Sequence, residues 1–317
     1  MTAKIVIGTR DSKLALWQAN FVARRIHERH PHLNVVLKHI ATKGDKLPDV
    51  PLSRIGGEGI FTGELEKELL SGEIDLAIHS LKDMPNELTQ GLAFGAIIER
   101  ADAREALISP RYRTLDKLPH GARVGISSLR RSAQLLACRP DLTITDIRGN
   151  IDVRLTKLVS QNLDATVLAV AGLHRLGLEG HITEIFPMDV CLPAAGQGAL
   201  AIEMRQDDEA LRSALSFLHH EETAWAVTAE RAFMREVEQG RPAPAGVWAR
   251  IESNVLVVDA VILSSDGRTR LRDAIIGVPE AAERLAETLA RRMLESGGRD
   301  ILASVKSSDG NKRAVHA

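Results

Sequence analysis

Strand-length apolar runs alternate with amphipathic helical stretches along this chain, and the alternation runs through twice. KIVIGT reads as a short buried strand, and from Ser12 a helix follows with Leu14, Trp17, Phe21, Val22 and Ile26 on one face. NVVLKHI, DLAIHS and LAFGAIIE are further strands, and TGELEKELLSG is an amphipathic helix ending in Gly72. The pattern restarts near residue 104. ARVGIS, LTITDI and DATVLAV are strands, SLRRSAQLLA and NIDVRLTKLV are helices, and Ser127 or Ser128 caps the first of these helices. LPAAGQGALAIEMR crosses into another strand. This order predicts an α/β fold with mixed, mostly parallel sheets.

The pattern then changes. HHEETAWAVTAERAFMREVEQ is one long helix ending at Gly240. VWARIES, VLVVDAVILS and TRLRDAIIG form an alternating meander with a turn at Ser265-Asp266-Gly267. A last helix opens at Pro279, buries Leu285, Leu289 and Met293, and stops at Gly297-Gly298. The expected architecture is two α/β lobes and a small C-terminal α+β domain. The first lobe spans 1–98 and 199–216, the second 104–192, the third domain 221–306, and 307–317 is a flexible tail. The Gly- and Pro-rich stretch from Ala41 to Gly59 is expected to be a lid or a disordered loop.

Composition removes several functions. A formal net charge of −1 over 317 residues argues against a general binder of nucleic acid or anionic membrane. Aromatic residues are only 3%, which leaves few platforms for base stacking. No apolar run reaches the roughly 20 residues that span a bilayer, and MTAKIVIGTR holds no signal-peptide core. The expected location is the cytoplasm, with neither nucleic acid nor membrane as partner. The two cysteines, Cys138 and Cys191, lie in no CxxC or Cys/His metal spacing, and no metal is expected. His219-His220-Glu221-Glu222 are consecutive, do not share a helix face, and read as a polar helix start.

The chemistry lies in arginines at the starts of helices. Arg10 precedes the first helix, Arg130 and Arg131 occupy the first turn of SLRRSAQ, Arg148 precedes the NIDVR helix, Arg154 lies within it, and Arg175 follows DATVLAV. Arginine is mildly unfavourable at a positive helix end, unless an anion brings the free N–H groups and the guanidinium to one purpose. Arginine pairs carboxylates in a bidentate fork, so this set points to a cleft for a ligand with many carboxylates. Lys82 and Asp83 sit just past the DLAIHS strand, where an ionised acid could stabilise a cationic intermediate or move a proton. A helix cap or local ion pair is the plainer alternative for these two.

IGTRDSKLALWQAN, TKGDK, PLSRIGGEGIFTGELE, GEIDLAIHSLKDMP, SSLRRSAQLL, RGNIDVRL, AVAGLHRLGL, LPAAGQGALAIE and TAERAF, in this order, resemble the hydroxymethylbilane synthase (porphobilinogen deaminase) family. The resemblance covers the chain from about residue 4 onward. It implies two lobes like those of periplasmic binding proteins plus a third domain, and a cytoplasmic monomer. It also implies an activity: four porphobilinogen molecules joined head to tail into hydroxymethylbilane, with release of ammonia. The implied cofactor is dipyrromethane, thioether-linked to the third domain. Each pyrrole carries an acetate and a propionate, which is what the arginines would hold. By resemblance Asp83 and Lys82 are catalytic, and Arg10, Ser12, Phe61, Ser128, Arg130, Arg131, Arg148, Arg154, Arg175 and Gln197 line the substrate and cofactor cleft.

One loop departs from the family. There the cofactor-bearing loop reads like GGCQVPIG, whereas this chain has Gly240, Arg241, Pro242, Ala243, Pro244, Ala245 and Gly246. A guanidinium cannot form a thioether, so Arg241 stands where the attachment cysteine is expected. Two functions follow from this: an enzyme with altered priming, or a catalytically impaired paralogue that binds porphobilinogen or a linear bilane without turnover.

Overall fold

The KIVIGT run is the first strand of a computed structural model that describes residues 4–46, 59–60, 62–239 and 242–305. The elements begin β1 (Lys4–Thr9), α1 (Lys13–Arg29), β2 (Asn34–His39), the single-turn α2 (Lys43–Lys46), α3 (Gly63–Leu70), β3 (Leu76–Ser80) and β4 (Leu92–Ile97). A second alternation follows: β5 (Glu105–Ile108), β6 (Arg123–Gly125), α4 (Leu129–Cys138), β7 (Thr143–Thr145), α5 (Ile151–Ser160), β8 (Ala165–Ala169), α6 (Val170–Arg175) and β9 (Glu184–Ile185). Then come β10 (Leu200–Arg205), α7 (Glu209–Leu215), α8 (Glu221–Glu238), β11 (Ala245–Glu252), β12 (Val255–Leu263), β13 (Arg270–Gly277) and α9 (Ala282–Met293).

The described residues form two compact units. The first gathers those of 1–103, 171–178 and 196–224, the second those of 104–170, 179–195 and 225–317. In the first unit the strand order is β2-β1-β3-β10-β4. β1 runs parallel to β2 and β3, while β10 returns antiparallel to β3 and β4. Ile5, Ile7, Leu76, Ile78 and Ile202 pack against Ala19, Val22 and Ile26 of α1. Each large aliphatic side chain buried there contributes about 1.5–3 kcal/mol. Ser12 caps α1, its Oγ accepting from the Ala15 N–H at 3.3 Å. Val22 and Ile26 of the expected α1 face are fully buried, but Trp17 is 36% exposed and Gln18 is buried. Gln18 Nε2 donates to Ser80 Oγ at 2.7 Å and so ties α1 to the end of β3.

In the second unit the α/β sheet has the order β7-β6-β8-β5-β9. β6 is parallel to β7 and β8, and β5 is antiparallel to β8 and β9. Both lobes are therefore mixed, as expected. β5 and β9 were not legible as strands in the sequence. The same unit holds the antiparallel sheet β11-β12-β13. One face of that sheet, including Val258, Ala260 and Ile262, packs on Phe233 of α8 and on Leu289 and Met293 of α9. The alternate residues Val261 and Leu263 pack on Ala133 of α4 and on Leu192.

The last helix opens through a 3-10 turn at Pro279–Ala281, as Pro279 predicts, but it does not stop at Gly297-Gly298. Gly297 takes φ +110° and kinks the chain, and helical turns resume over 299–305. The expected tail 307–317 and most of the stretch from Ala41 to Gly59 lie outside the described residues.

Candidate functional site

β1 and β3 are parallel neighbours, so the residues that follow them leave from one edge of the first sheet. Arg10 and Ser12 follow β1, and Leu81, Lys82 and Asp83 form a 3-10 turn directly after β3. β10 is antiparallel to β3 with Leu200 opposite Ser80, so the preceding Gly196-Gln197-Gly198 turn lies at the same edge. In open α/β sheets this carboxyl edge is where ligands bind. The edge thus brings together Arg10, Ser12, Lys82, Asp83 and Gln197.

The turn is built around glycine. Gly196 has φ +72° and Gly198 φ +90°, a region that side chains with Cβ rarely adopt. A Cβ on Gly198 would also overlap the Ala101 carbonyl oxygen and stand 3.1 Å from its carbon. Gln197 is fully buried between these glycines. Its Oε1 accepts from Lys82 Nζ at 3.1 Å, its Nε2 donates to the Ala103 carbonyl at 2.7 Å, and its own carbonyl accepts from Arg100 Nε at 2.7 Å. Lys82 is therefore held in place beside an exposed Asp83.

Arg175 joins the same turn, its Nη2 donating to the Gly198 carbonyl at 2.6 Å. Its guanidinium lies 5.9 Å from the Trp17 ring centroid. Burial, with no acidic group to offset it, pulls the Arg175 pKa down to about 10. A cavity of about 260 Å³, lined by Trp17, Phe21, Ile98, His174, Arg175 and Leu200 among others, adjoins it. An apolar wall beside a guanidinium weakens solvent screening and strengthens its attraction for an anion.

Arg10 has an internal partner. Its Nε donates to both oxygens of Asp45 at 3.2 and 3.1 Å, and Thr42 Oγ1 donates to the same carboxylate at 2.7 Å. Burial works against the Asp45 charge, but the hydrogen bonds from Arg10 and Thr42 outweigh it and hold the carboxyl below its usual range.

The second unit repeats the arrangement at the carboxyl ends of β6, β7 and β8. Ser128 is the N-cap of α4, its Oγ accepting from the Arg131 N–H at 3.4 Å. Arg130 and Arg131 are both turned inward, each 7% exposed, and pair with the fully buried Glu105 of β5. Arg148 Nε donates to Asp146 at 3.4 Å, and Arg154 Nε donates to the Gly149 carbonyl at 2.8 Å. Asp45, Glu105 and Asp146 were missed by sequence reasoning. Only TKGDK, which sits in the motif set, hinted at one of them. Phe61 and Arg241 lie outside the described residues.

Dipyrromethane carries acetate and propionate arms and, by the family resemblance, a thioether link. Within each unit taken by itself, the cationic residues at the sheet edge suit carboxylates such as those it carries. The thiols do not fit a thioether bond: burial pushes Cys191 up to about 12, and burial raises Cys138 as well, so neither is a ready thiolate. The chain has no third cysteine. The His219-His220 pair serves as a helix start, with His220 Nδ1 accepting from the Thr223 N–H at 3.2 Å. Among the described residues no three His, Cys, Asp or Glu side chains gather as metal ligands, and no helix is long and apolar enough to cross a membrane.

Comparison with known proteins gives the family. Residues 5–213 match the family described as porphobilinogen deaminase, dipyromethane cofactor binding domain, and residues 224–295 match porphobilinogen deaminase, C-terminal domain. The chain is 47% identical over 299 residues to a porphobilinogen deaminase of Geotalea uraniireducens (strain Rf4), covering 94% of each chain. It is 46% identical over 302 residues to one of Geobacter sulfurreducens, covering 95% of each. Among solved structures it is similar to the methionine-binding protein MetQ at TM-score 0.43 and 15% identity, covering 68% of this chain and 88% of that one. At that score the likeness carries no argument.

Proposed function

Since this chain belongs to the porphobilinogen deaminase family, the hydroxymethylbilane synthases, which are transferases of tetrapyrrole biosynthesis, we propose that it joins four porphobilinogen molecules head to tail through Asp83. The observation that carries this reading is an exposed carboxylate, Asp83, at a sheet edge otherwise furnished with Lys82, Arg10 and the half-buried cation of Arg175. The arginines hold the acetate and propionate arms of the substrate. As ammonia leaves with the electrons of the C–N bond, positive charge develops on the pyrrole methylene, and the Asp83 carboxylate stabilises it. At about 4 Å and an effective dielectric constant near 20, such a contact is worth about 4 kcal/mol. The α-carbon of the next pyrrole then forms the new C–C bond and gives up its proton, for which Asp83 is the acceptor. Lys82, held by Gln197, supplies a further cation for the carboxylates.

Dipyrromethane, when bound, supplies two linked pyrroles as the start of the growing chain. Arg10, Arg130, Arg131, Arg148, Arg154 and Arg175 would hold it by its carboxylates, with Ser12, Ser128 and Gln197 as hydrogen-bonding neighbours. In this chain we take that hold to be ionic, because neither thiol suits a covalent one. The same observation favours a second reading, a paralogue that binds porphobilinogen or a linear bilane without turnover. We further read the protein as a cytoplasmic monomer of three domains with the boundaries given above.

Ammonia release from porphobilinogen tests the proposal. The unmodified protein should release it, and Asp83→Ala should lower the rate by about 10²–10⁴-fold with the melting temperature unchanged. Equal rates for the two proteins would overturn the role of Asp83. Thermal stabilisation by porphobilinogen with no ammonia from either protein would establish the binding paralogue instead.

A further inference from the structure

Arg130 and Arg131 are consecutive residues in the first turn of α4, where their mutual repulsion and the positive helix end both disfavour two cations. Both are nevertheless buried. What offsets this is Glu105, from a strand earlier in the chain. Arg130 Nη2 donates to Glu105 Oε1 at 2.6 Å, and Arg131 Nη2 donates to Oε2 at 2.7 Å, so each carboxylate oxygen holds one guanidinium. The second contact of each is to backbone: Arg130 Nη1 donates to the Leu192 carbonyl at 2.7 Å and Arg131 Nη1 to the Val167 carbonyl at 3.1 Å. β5 is antiparallel to β8 with Glu105 opposite Ala169, which sets the carboxylate at the carboxyl edge of the second sheet.

One carboxylate cannot neutralise two guanidinium groups, so the three side chains keep a net positive charge. Arg131 Nε is also buried with no acceptor among the described residues. An orphaned buried donor is costly, and a fixed guanidinium with surplus charge is prepared for an incoming carboxylate. We propose that Glu105 is a positioning residue that fixes Arg130 and Arg131 as a preorganised cationic pair for a carboxylate arm of the pyrrole substrate. Glu105 does not touch the ligand; it acts through the two arginines. The inference rests on the reading of Arg130 and Arg131 as substrate-binding residues. A carboxylate that served the fold alone would change stability and leave affinity as it was.

A double-mutant cycle on the full chain separates these roles, with porphobilinogen binding read by calorimetry and folding read by circular dichroism and melting temperature. The proteins are the unmodified chain, Glu105→Gln, Arg131→Gln and the double variant. Glu105→Gln should weaken binding by about tenfold or more while folded, and the double variant should bind within about threefold of Arg131→Gln, because the two residues act as one unit. A folded Glu105→Gln that binds within about twofold of the unmodified chain overturns the inference, as do losses that multiply in full. If Glu105→Gln does not fold, the double variant, which removes one charge of each sign, is compared with Arg131→Gln alone. Near-equal affinity supports the inference, and a further tenfold loss overturns it. No binding by the unmodified chain overturns the functional reading and this inference together, and it is visible in a different titration from the outcomes above.

Discussion

Arg175→Met separates a residue kept for a ligand from one kept for the fold. Burial lowers the Arg175 pKa from the ordinary arginine range to about 10, which corresponds to a penalty of roughly 3 kcal/mol against the charged form. This is an upper figure, since the side chain keeps some contact with solvent. The sign follows from linkage: a base whose folded-state pKa is depressed destabilises the fold while it stays charged, and the penalty is relieved only as pH rises through about 10. Methionine removes the penalty at nearly the same length. It also forfeits the hydrogen bond to the Gly198 carbonyl, worth about 1.5–3 kcal/mol for a charged donor. The contact over Trp17 accounts for about 0.5–1 kcal/mol more. The terms nearly cancel, so Arg175→Met should unfold in urea within about 1 kcal/mol of the unmodified chain. Porphobilinogen affinity should fall by about 10²-fold or more, because a charge-assisted contact to carboxylate is lost. A variant destabilised by more than about 3 kcal/mol with unchanged affinity would refute the reasoning and make Arg175 a structural residue.

Gly198→Ala should destabilise the first unit by about 2–4 kcal/mol, since at positive φ the new Cβ meets the backbone carbonyl of Ala101. A urea midpoint equal to that of the unmodified chain would contradict this. In the second unit, the hydrogen bond from Arg139 holds the Asp141 carboxyl well below the usual carboxylate range. A depressed acid contributes stability that is present above its unfolded pKa of about 4 and lost as pH falls through the folded value. The unmodified chain should therefore be more stable than Asp141→Asn at pH 7, and the difference should shrink steadily in urea titrations below about pH 4.

Much of the fold was legible because strand and helix periods are strong signals. β1, β3, β8 and the C-terminal meander lie where their apolar runs place them, and Ser12 and Ser128 cap α1 and α4. β5 was not legible: it is four residues long and begins with Glu105, whose charge breaks the apolar pattern until its two arginine partners are known. β9 is two residues long and has no periodicity to detect. The burial of Gln18 on α1 goes with a hydrogen bond to Ser80, 62 residues apart, which no local pattern encodes. The arginines of the candidate site were visible as cations at helix starts. Their acidic partners Asp45 and Glu105 were not, because a pairing across the sheet appears only once the strand order is known. That order also shows Lys82, Gln197, Gly198 and Arg175 meeting at one turn, although they lie in three separate stretches of sequence.

The most direct test of carboxylate binding without a thiol anchor is the mass of the full chain after incubation with porphobilinogen, taken under native conditions and again after denaturation. Pyrrole units bound in the native spectrum and an unmodified chain of 34.6 kDa after denaturation are the expected result. Pyrrole mass that survives denaturation would contradict it and place a covalent bond on Cys138, Cys191 or another side chain.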